Sequence, residues 1–194
     1  AKYNQRTDNF TGYISEGTSF GRPACNEIIS LMESSQGVLW AGTWYGGLAR
    51  FNKETGQFRY YFGEGDTLTI PRIRTLFQRT ANSFYLGSDD GLYTFNTTTG
   101  ECLPTDDEQN KESIYACYQD REGGIWIGTY FSGVSYLSPK HKDIEWYYPN
   151  GTENSLSGNV ISQFCEDPDG NIWIATEDGG LNLFDPRTKK FKNH

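Results

Sequence analysis

The sequence predicts an all-β chain of repeated four-stranded antiparallel sheets, and three observations carry that prediction. Four segments share one pattern: Leu39-Trp40-Ala41-Gly42-Thr43, Phe84-Tyr85-Leu86-Gly87-Ser88, Ile125-Trp126-Ile127-Gly128-Thr129 and Ile172-Trp173-Ile174-Ala175-Thr176. Their anchors Trp40, Tyr85, Trp126 and Trp173 lie 45, 41 and 47 residues apart. Apolar columns stay in register well away from the anchors, and no stretch shows a helical period. Repeats of this length, with room for four short strands each, are the signature of β-propeller blades. The expected architecture is a partial propeller of about four blades.

Each strand has its own column. The first strand carries Ile28, Ile73, Ile114 and Ile161, followed three residues on by Leu31, Leu76, Cys117 and Phe164. The second is the Trp strand itself. Glycines Gly47, Gly91, Gly133 and Gly180 then let the chain turn without a Cβ clash. The third strand begins at Leu48, Leu92, Val134 and Leu181 and reaches Phe51, Phe95, Leu137 and Phe184. The fourth carries Phe58, Cys102, Ile144 and Phe191, seven residues beyond. Turn formers fill the gaps, as in Asp167-Pro168-Asp169-Gly170-Asn171 and Asn52-Lys53-Glu54-Thr55-Gly56. A four-stranded sheet has two faces to cover, and stacking against neighbours around an axis covers both. The Trp column is therefore expected to pack between blades.

Residues 3–13 repeat the end of a blade. Tyr3 and Phe10 are seven apart, as Phe184 and Phe191 are, and Tyr13 follows Phe10 as Tyr61 follows Phe58. The expected division is a preceding blade's tail and linker at 1–22, then blades at 23–66, 67–108, 109–154 and 155–194. Open flanks of such an array would expose apolar sheet faces, so the expected partner is the rest of a larger propeller or a second copy of the chain.

Composition excludes several functions. The chain has 194 residues with a net charge of −8, which disfavours nucleic acid. No apolar run approaches the ~18 residues of a membrane span, so no direct membrane contact is expected. Cys25, Cys102, Cys117 and Cys165 form no Cys-x-x-Cys pair and read as small buried or half-buried thiols. There are only two histidines: His141 in a polar turn, and His194. No nucleophile elbow, zinc motif or phosphate loop occurs, so neither catalysis nor a cofactor is expected. Asp167-x-Asp169-Gly170-Asn171 superficially resembles the start of a calcium loop. It lacks the further oxygen ligands and the closing Glu, and it reads as a hairpin turn.

The run Asn159-Val160-Ile161-Ser162-Gln163-Phe164 through Glu166-Asp167, Gly170-Asn171-Ile172-Trp173-Ile174-Ala175-Thr176, Gly179-Gly180-Leu181-Asn182 and Phe184-Asp185 resembles the two-component regulator propeller repeat. The linker Tyr147-Tyr148-Pro149-Asn150 through Asn154-Ser155-Leu156-Ser157 is similar to that family's inter-blade loop. Blade two departs, with Tyr85 for Trp, Arg79 for Asp and one residue fewer before Gly91. The resemblance implies part of the periplasmic sensor region of a bacterial hybrid histidine kinase, with the kinase outside this chain. It also implies a response to fragments of complex carbohydrate.

In such a fold, the loops joining strands two and three share a face with the linkers between blades. Those loops carry Trp44 and Tyr45, Asp89 and Asp90, Tyr130 and Phe131, and Glu177 and Asp178. Aromatic rings beside carboxylates suit an oligosaccharide: sugar C–H faces stack on the ring, and hydroxyls donate to the acid. The same aromatics could instead tuck into neighbouring blades. Arg72 and Arg74, near a strand start, would add donors for an acidic sugar. The alternative function is a scaffold or protein-interaction propeller.

Overall fold

The computed structural model describes residues 1–14, 18–19, 22–23, 25–62, 68–70, 72–105, 112–139 and 144–194. His141 lies outside them. Strands β1 (Lys2–Asn4) and β2 (Asn9–Thr11) form one hairpin, and β3 (Thr18–Ser19) and β4 (Arg22–Pro23) another. Four sheets follow, each of four strands consecutive in the chain and antiparallel to their neighbours. Blade one is β5 (Ile28–Glu33), β6 (Leu39–Thr43), β7 (Leu48–Phe51) and β8 (Phe58–Tyr61). Blade two is β9 (Ile73–Thr80), β10 (Ser83–Ser88), β11 (Gly91–Asn96) and β12 (Cys102–Pro104). Blade three is β13 (Ile114–Gln119), β14 (Ile125–Thr129), β15 (Val134–Leu137) and β16 (Ile144–Tyr147). Blade four is β17 (Ile161–Glu166), β18 (Ile172–Thr176), β19 (Gly180–Asp185) and β20 (Lys190–Asn193). The first strands adjoin in order, β5 beside β9, β9 beside β13 and β13 beside β17. The fold is an all-β, partial propeller.

The seams between blades explain the repeated motif. Strand two alternates, so Trp40 points forward into blade two, where it meets Phe84 and Phe95 edge-on at 5.2 and 5.7 Å. Trp126 does the same to blade four, with Phe184 at 5.3 Å. Both indoles are buried. The motif glycine faces the same way and receives the next blade's isoleucine. A Cβ on Gly87 would lie 2.7 Å from Ile114 Cγ2, and one on Gly128 would lie 2.5 Å from Ile161 Cγ2. Glycine there lets two sheets close to contact. The turn glycines Gly47 and Gly133 have φ of 70° and 76°, as tight entry to strand three requires. Asp120 and Asp167 cap the turns between strands one and two. Asp167 Oδ1 accepts from the amides of Asp169 and Asn171, both at 2.9 Å, which is the hairpin geometry expected of that segment.

The β1–β2 hairpin reproduces the outer half of a blade. Tyr3 opposes Phe10 across it, as Phe51 opposes Phe58 and Phe184 opposes Phe191. Tyr13 packs on Phe51 at 4.9 Å, the position that Tyr61 takes on Phe95 and Tyr147 on Phe184. The inner half has no counterpart among the described residues. Ile28 is consequently 39% exposed and Leu31 65%, whereas Ile73, Ile114 and Ile161 are fully buried. The thiols Cys25, Cys102 and Cys117 are half-buried as expected. Cys165 is exposed, because its side of β17 points away from the blade-three seam that Phe164 fills.

Every blade carries a β-bulge at one position of its first strand. Register slips between Ile28 and Ser30, between Ile73 and Thr75, between Ile114 and Ala116, and between Ile161 and Gln163. The bulged residues are Ile29, Arg74, Tyr115 and Ser162. A bulge frees a side chain from the up-down alternation of the strand and re-aims it.

Candidate functional site

The loops after the Trp strand are anchored by its last residue. Thr43 Oγ1 donates to Gly47 O at 2.9 Å and accepts from Gly46 N at 2.8 Å. Thr129 and Thr176 repeat both bonds, and Ser88 Oγ donates to Gly91 O at 3.1 Å. The next residue's amide is pinned to the chain just before strand one: Trp44 N to Glu27 O, Tyr130 N to Ser113 O and Glu177 N to Val160 O, at 2.9–3.0 Å. Trp44, Tyr130 and Glu177 thus start from equivalent anchored positions, and Asp89 follows Ser88 at the matching place in blade two.

Across blades one to three these positions and the bulge residues Arg74 and Tyr115 build a single cluster. Arg72 Nη1 donates to Asp89 Oδ2, and Arg74 Nε donates to Asp89 Oδ1, so one carboxylate bridges two guanidinium groups. Ser113 Oγ donates to Asp89 Oδ1 at 3.3 Å. The Arg72 guanidinium lies 4.1 Å over the Trp44 ring. Arg74 lies 4.0 Å over Tyr115 and 5.6 Å from Trp44. Tyr115 stacks on Tyr130 at 4.8 Å, and Tyr130 meets Phe131 edge-on at 4.2 Å. At the other end, Tyr45 meets Trp44 edge-on at 6.1 Å. The ladder therefore runs Tyr45, Trp44, Arg72 and Arg74 with Asp89, then Tyr115, Tyr130 and Phe131. Its ends are open: Tyr45 is 59% exposed and Phe131 72%. Burial raises the Tyr115 phenol above its ordinary pKa; Arg74 opposes this, and Tyr130, Asp89 and Glu177 add to it.

Of the residues that the sequence nominates, Trp44, Tyr45, Asp89, Tyr130 and Phe131 come together here. Trp44 and Tyr130 tuck into the ladder, while Tyr45 and Phe131 face out. Glu177 is exposed on blade four, on the Tyr115 side. Asp90 turns to its own blade, accepting from Ser88 Oγ and, at 3.1 Å, from Tyr93 OH. Asp178 accepts from the amides of Asn159 at 3.0 Å and Val160 at 3.1 Å, which hold its carboxyl below the ordinary value. It braces the linker between blades three and four. Tyr115 and Ser113 complete the cluster and lie outside the set that the sequence nominates. The signal available was the column after the isoleucines, where Ile29, Arg74, Tyr115 and Ser162 share no chemistry. Among the described residues, no three His, Cys, Asp or Glu side chains converge as metal ligands would.

The sheets and their seams define the class: a β-propeller segment. The model of the two-component regulator propeller repeat matches residues 23–45, 108–131 and 155–178, which hold the first two strands of blades one, three and four. The extracellular domain of BT4673 from B. thetaiotaomicron, described as a one component or hybrid two component system, superposes with a TM-score of 0.75 at 22% identity. The alignment covers 93% of this chain and 24% of that one. The extracellular domain of the hybrid two component system BT3049 from the same organism gives a TM-score of 0.60 at 20% identity, over 93% of this chain and 30% of that one. Streptogramin B lyase, at 11% identity over 88% of this chain and 55% of its own, has a TM-score of 0.63. These likenesses establish the fold. The chain spans about a quarter of the length of the BT4673 domain. No curated protein matches it.

Proposed function

We propose that this chain is a non-catalytic part of the extracytoplasmic, periplasmic sensor region of a hybrid two-component receptor, and that its loop face binds a carbohydrate fragment. The repeat family and the extracellular neighbours support the sensor reading. The observation that carries the ligand reading is the ladder with two exposed rings, Tyr45 and Phe131, flanking a fixed set of charged donors and acceptors. Sugar rings stack on exposed aromatics, and their hydroxyls need both donors and acceptors. Calorimetric screening of a glycan-fragment library against the chain tests this. Binding by one glycan class, abolished by the double substitution Tyr45→Ala and Phe131→Ala, is expected. Binding that survives the double substitution would place the site elsewhere.

The second reading, a protein-interaction propeller, draws on the exposed Ile28 and Leu31 of β5. It would be favoured by tight capture of a protein together with no glycan binding.

A further inference from the structure

The ladder contains more positive charge than its own acid neutralises. Among the described residues, Arg72 and Arg74 share one carboxylate, Asp89, in a chain whose overall charge is −8. Both guanidinium groups are partly withdrawn from water, with side-chain exposures of 27% and 16%. Both lie over aromatic rings, Arg72 over Trp44 and Arg74 over Tyr115, so their positions are set before any ligand arrives. A guanidinium has five N–H donors, and Asp89 takes one from each arginine. Arg72 Nε is buried without a hydrogen-bond partner. Arg74 is also the bulged residue of β9, re-aimed out of the strand's alternation towards this face. Two guanidinium groups gathered at one carboxylate, each with N–H donors beyond the one that Asp89 takes, suit a carboxylate or sulfate. Tyr45 and Phe131 stand on either side, where the sugar ring bearing that anion would rest. Glu177 lies beyond Tyr115, on the blade-four side.

We propose that Arg72 and Arg74 form an anion subsite for the carboxylate or sulfate of an acidic sugar, and that Asp89 is the chain's own occupant of that fork, which the ligand anion displaces or joins. The inference rests on the carbohydrate reading above and narrows it. Asp89 then sets the affinity from the opposite side to the arginines. Removing an arginine weakens binding, whereas removing the Asp89 charge strengthens it. A purely structural salt bridge would weaken binding whichever partner was removed.

The test is calorimetry on the chain with three probes, namely an oligogalacturonate, a sulfated galactan oligosaccharide and a neutral galactan oligosaccharide. One acidic probe is expected to bind at least about tenfold more tightly than the neutral one, as loss of a charge-assisted hydrogen bond implies. Which acidic probe binds distinguishes carboxylate from sulfate. Arg72→Gln should weaken it about tenfold, and Asp89→Asn should tighten it by a similar factor. Arg72→Lys, which keeps the charge but loses the fork, should fall between Arg72→Gln and the parent chain. Affinity should also drop as salt rises. Thermal melts of each variant separate a change in binding from loss of the fold, and Arg72→Lys carries the test if Asp89→Asn unfolds. Equal binding of neutral and acidic probes, or weaker binding by a folded Asp89→Asn chain, would overturn the subsite and leave the carbohydrate reading intact. Absence of binding by any of the three probes and by the wider glycan library would overturn both.

Discussion

At the seams, Trp40, Tyr85 and Trp126 share one column and one role, since each points forward and fills the space against the next blade. One residue past the Trp strand, Trp44, Asp89, Tyr130 and Glu177 also share a column, and no two do the same thing. One is a platform for a guanidinium, one bridges two arginines, one stacks on a tyrosine and one projects to solvent. The backbone is equally well held in both places, because the motif Thr or Ser ties down every loop. The difference is what the side chains meet. Seam residues meet the same partner in each repeat, so they converge on one solution. Loop residues meet solvent and one another, and they diverge.

The largest break in this contrast should come from Trp126→Ala. It would remove a fully buried indole packed on Tyr136, Tyr147, Phe164 and Phe184, and it should cost about 3–5 kcal/mol in denaturant unfolding. Next is Gly87→Ala, whose Cβ would lie 2.5 Å from Thr75 Cγ2. Overpacking of that kind should cost about 1–3 kcal/mol by the same measurement. Thr129→Val keeps the shape but leaves Gly133 O and Ser132 N without the buried hydroxyl. It should cost about 1–3 kcal/mol and loosen the Tyr130-Phe131 loop, seen as faster amide exchange at Ser132. Phe131→Ala, on the loop face, should change stability by no more than about 0.5 kcal/mol while reducing glycan binding. A destabilisation as large as that of Trp126→Ala would erase the distinction between the two regions.

A smaller, pH-dependent effect belongs to the turns. Asn171 at Asp167, the Asn159 amide at Asp178 and the Arg187 amide at Asp185 hold all three carboxyls below their ordinary value of 3.8. A folded pKa below the unfolded one gives stability that is fully present above the unfolded value. It is lost as pH falls through the folded one. The melting temperature should therefore hold from neutrality to about pH 5 and decline through and below pH 3.8. Asp178→Asn should flatten part of that decline.

The seams were legible in the sequence because packing repeats. The isoleucine, Trp, Gly and Phe columns located all four sheets, and the Tyr3–Phe10 spacing located the hairpin before them. The site was legible only in part. Asp89 and Asp90 are adjacent and chemically alike, yet one bridges two arginines while the other serves Ser88 and Tyr93. That outcome depends on which way a two-residue turn throws each side chain. Glu177 and Asp178 divide too, one projecting to solvent and the other holding the Asn159 and Val160 amides. Tyr115 escaped because a bulge is a backbone event: alternation read along β13 cannot show that one residue has left the register.

Because every strand of each blade pairs with its neighbour in the chain, the backbone pairing within the blades is local. Local pairing favours rapid formation of each sheet, and the seams, which join residues such as Gly87 with Ile114 and Trp126 with Phe184, far apart in the chain, are left to assemble afterwards. Substitutions at the Trp column should then act mainly on the unfolding rate, and those in the short turns on the folding rate. The β1–β2 hairpin, with Tyr3 and Phe10 largely in solvent, has few contacts to hold it and should open first in native-state exchange.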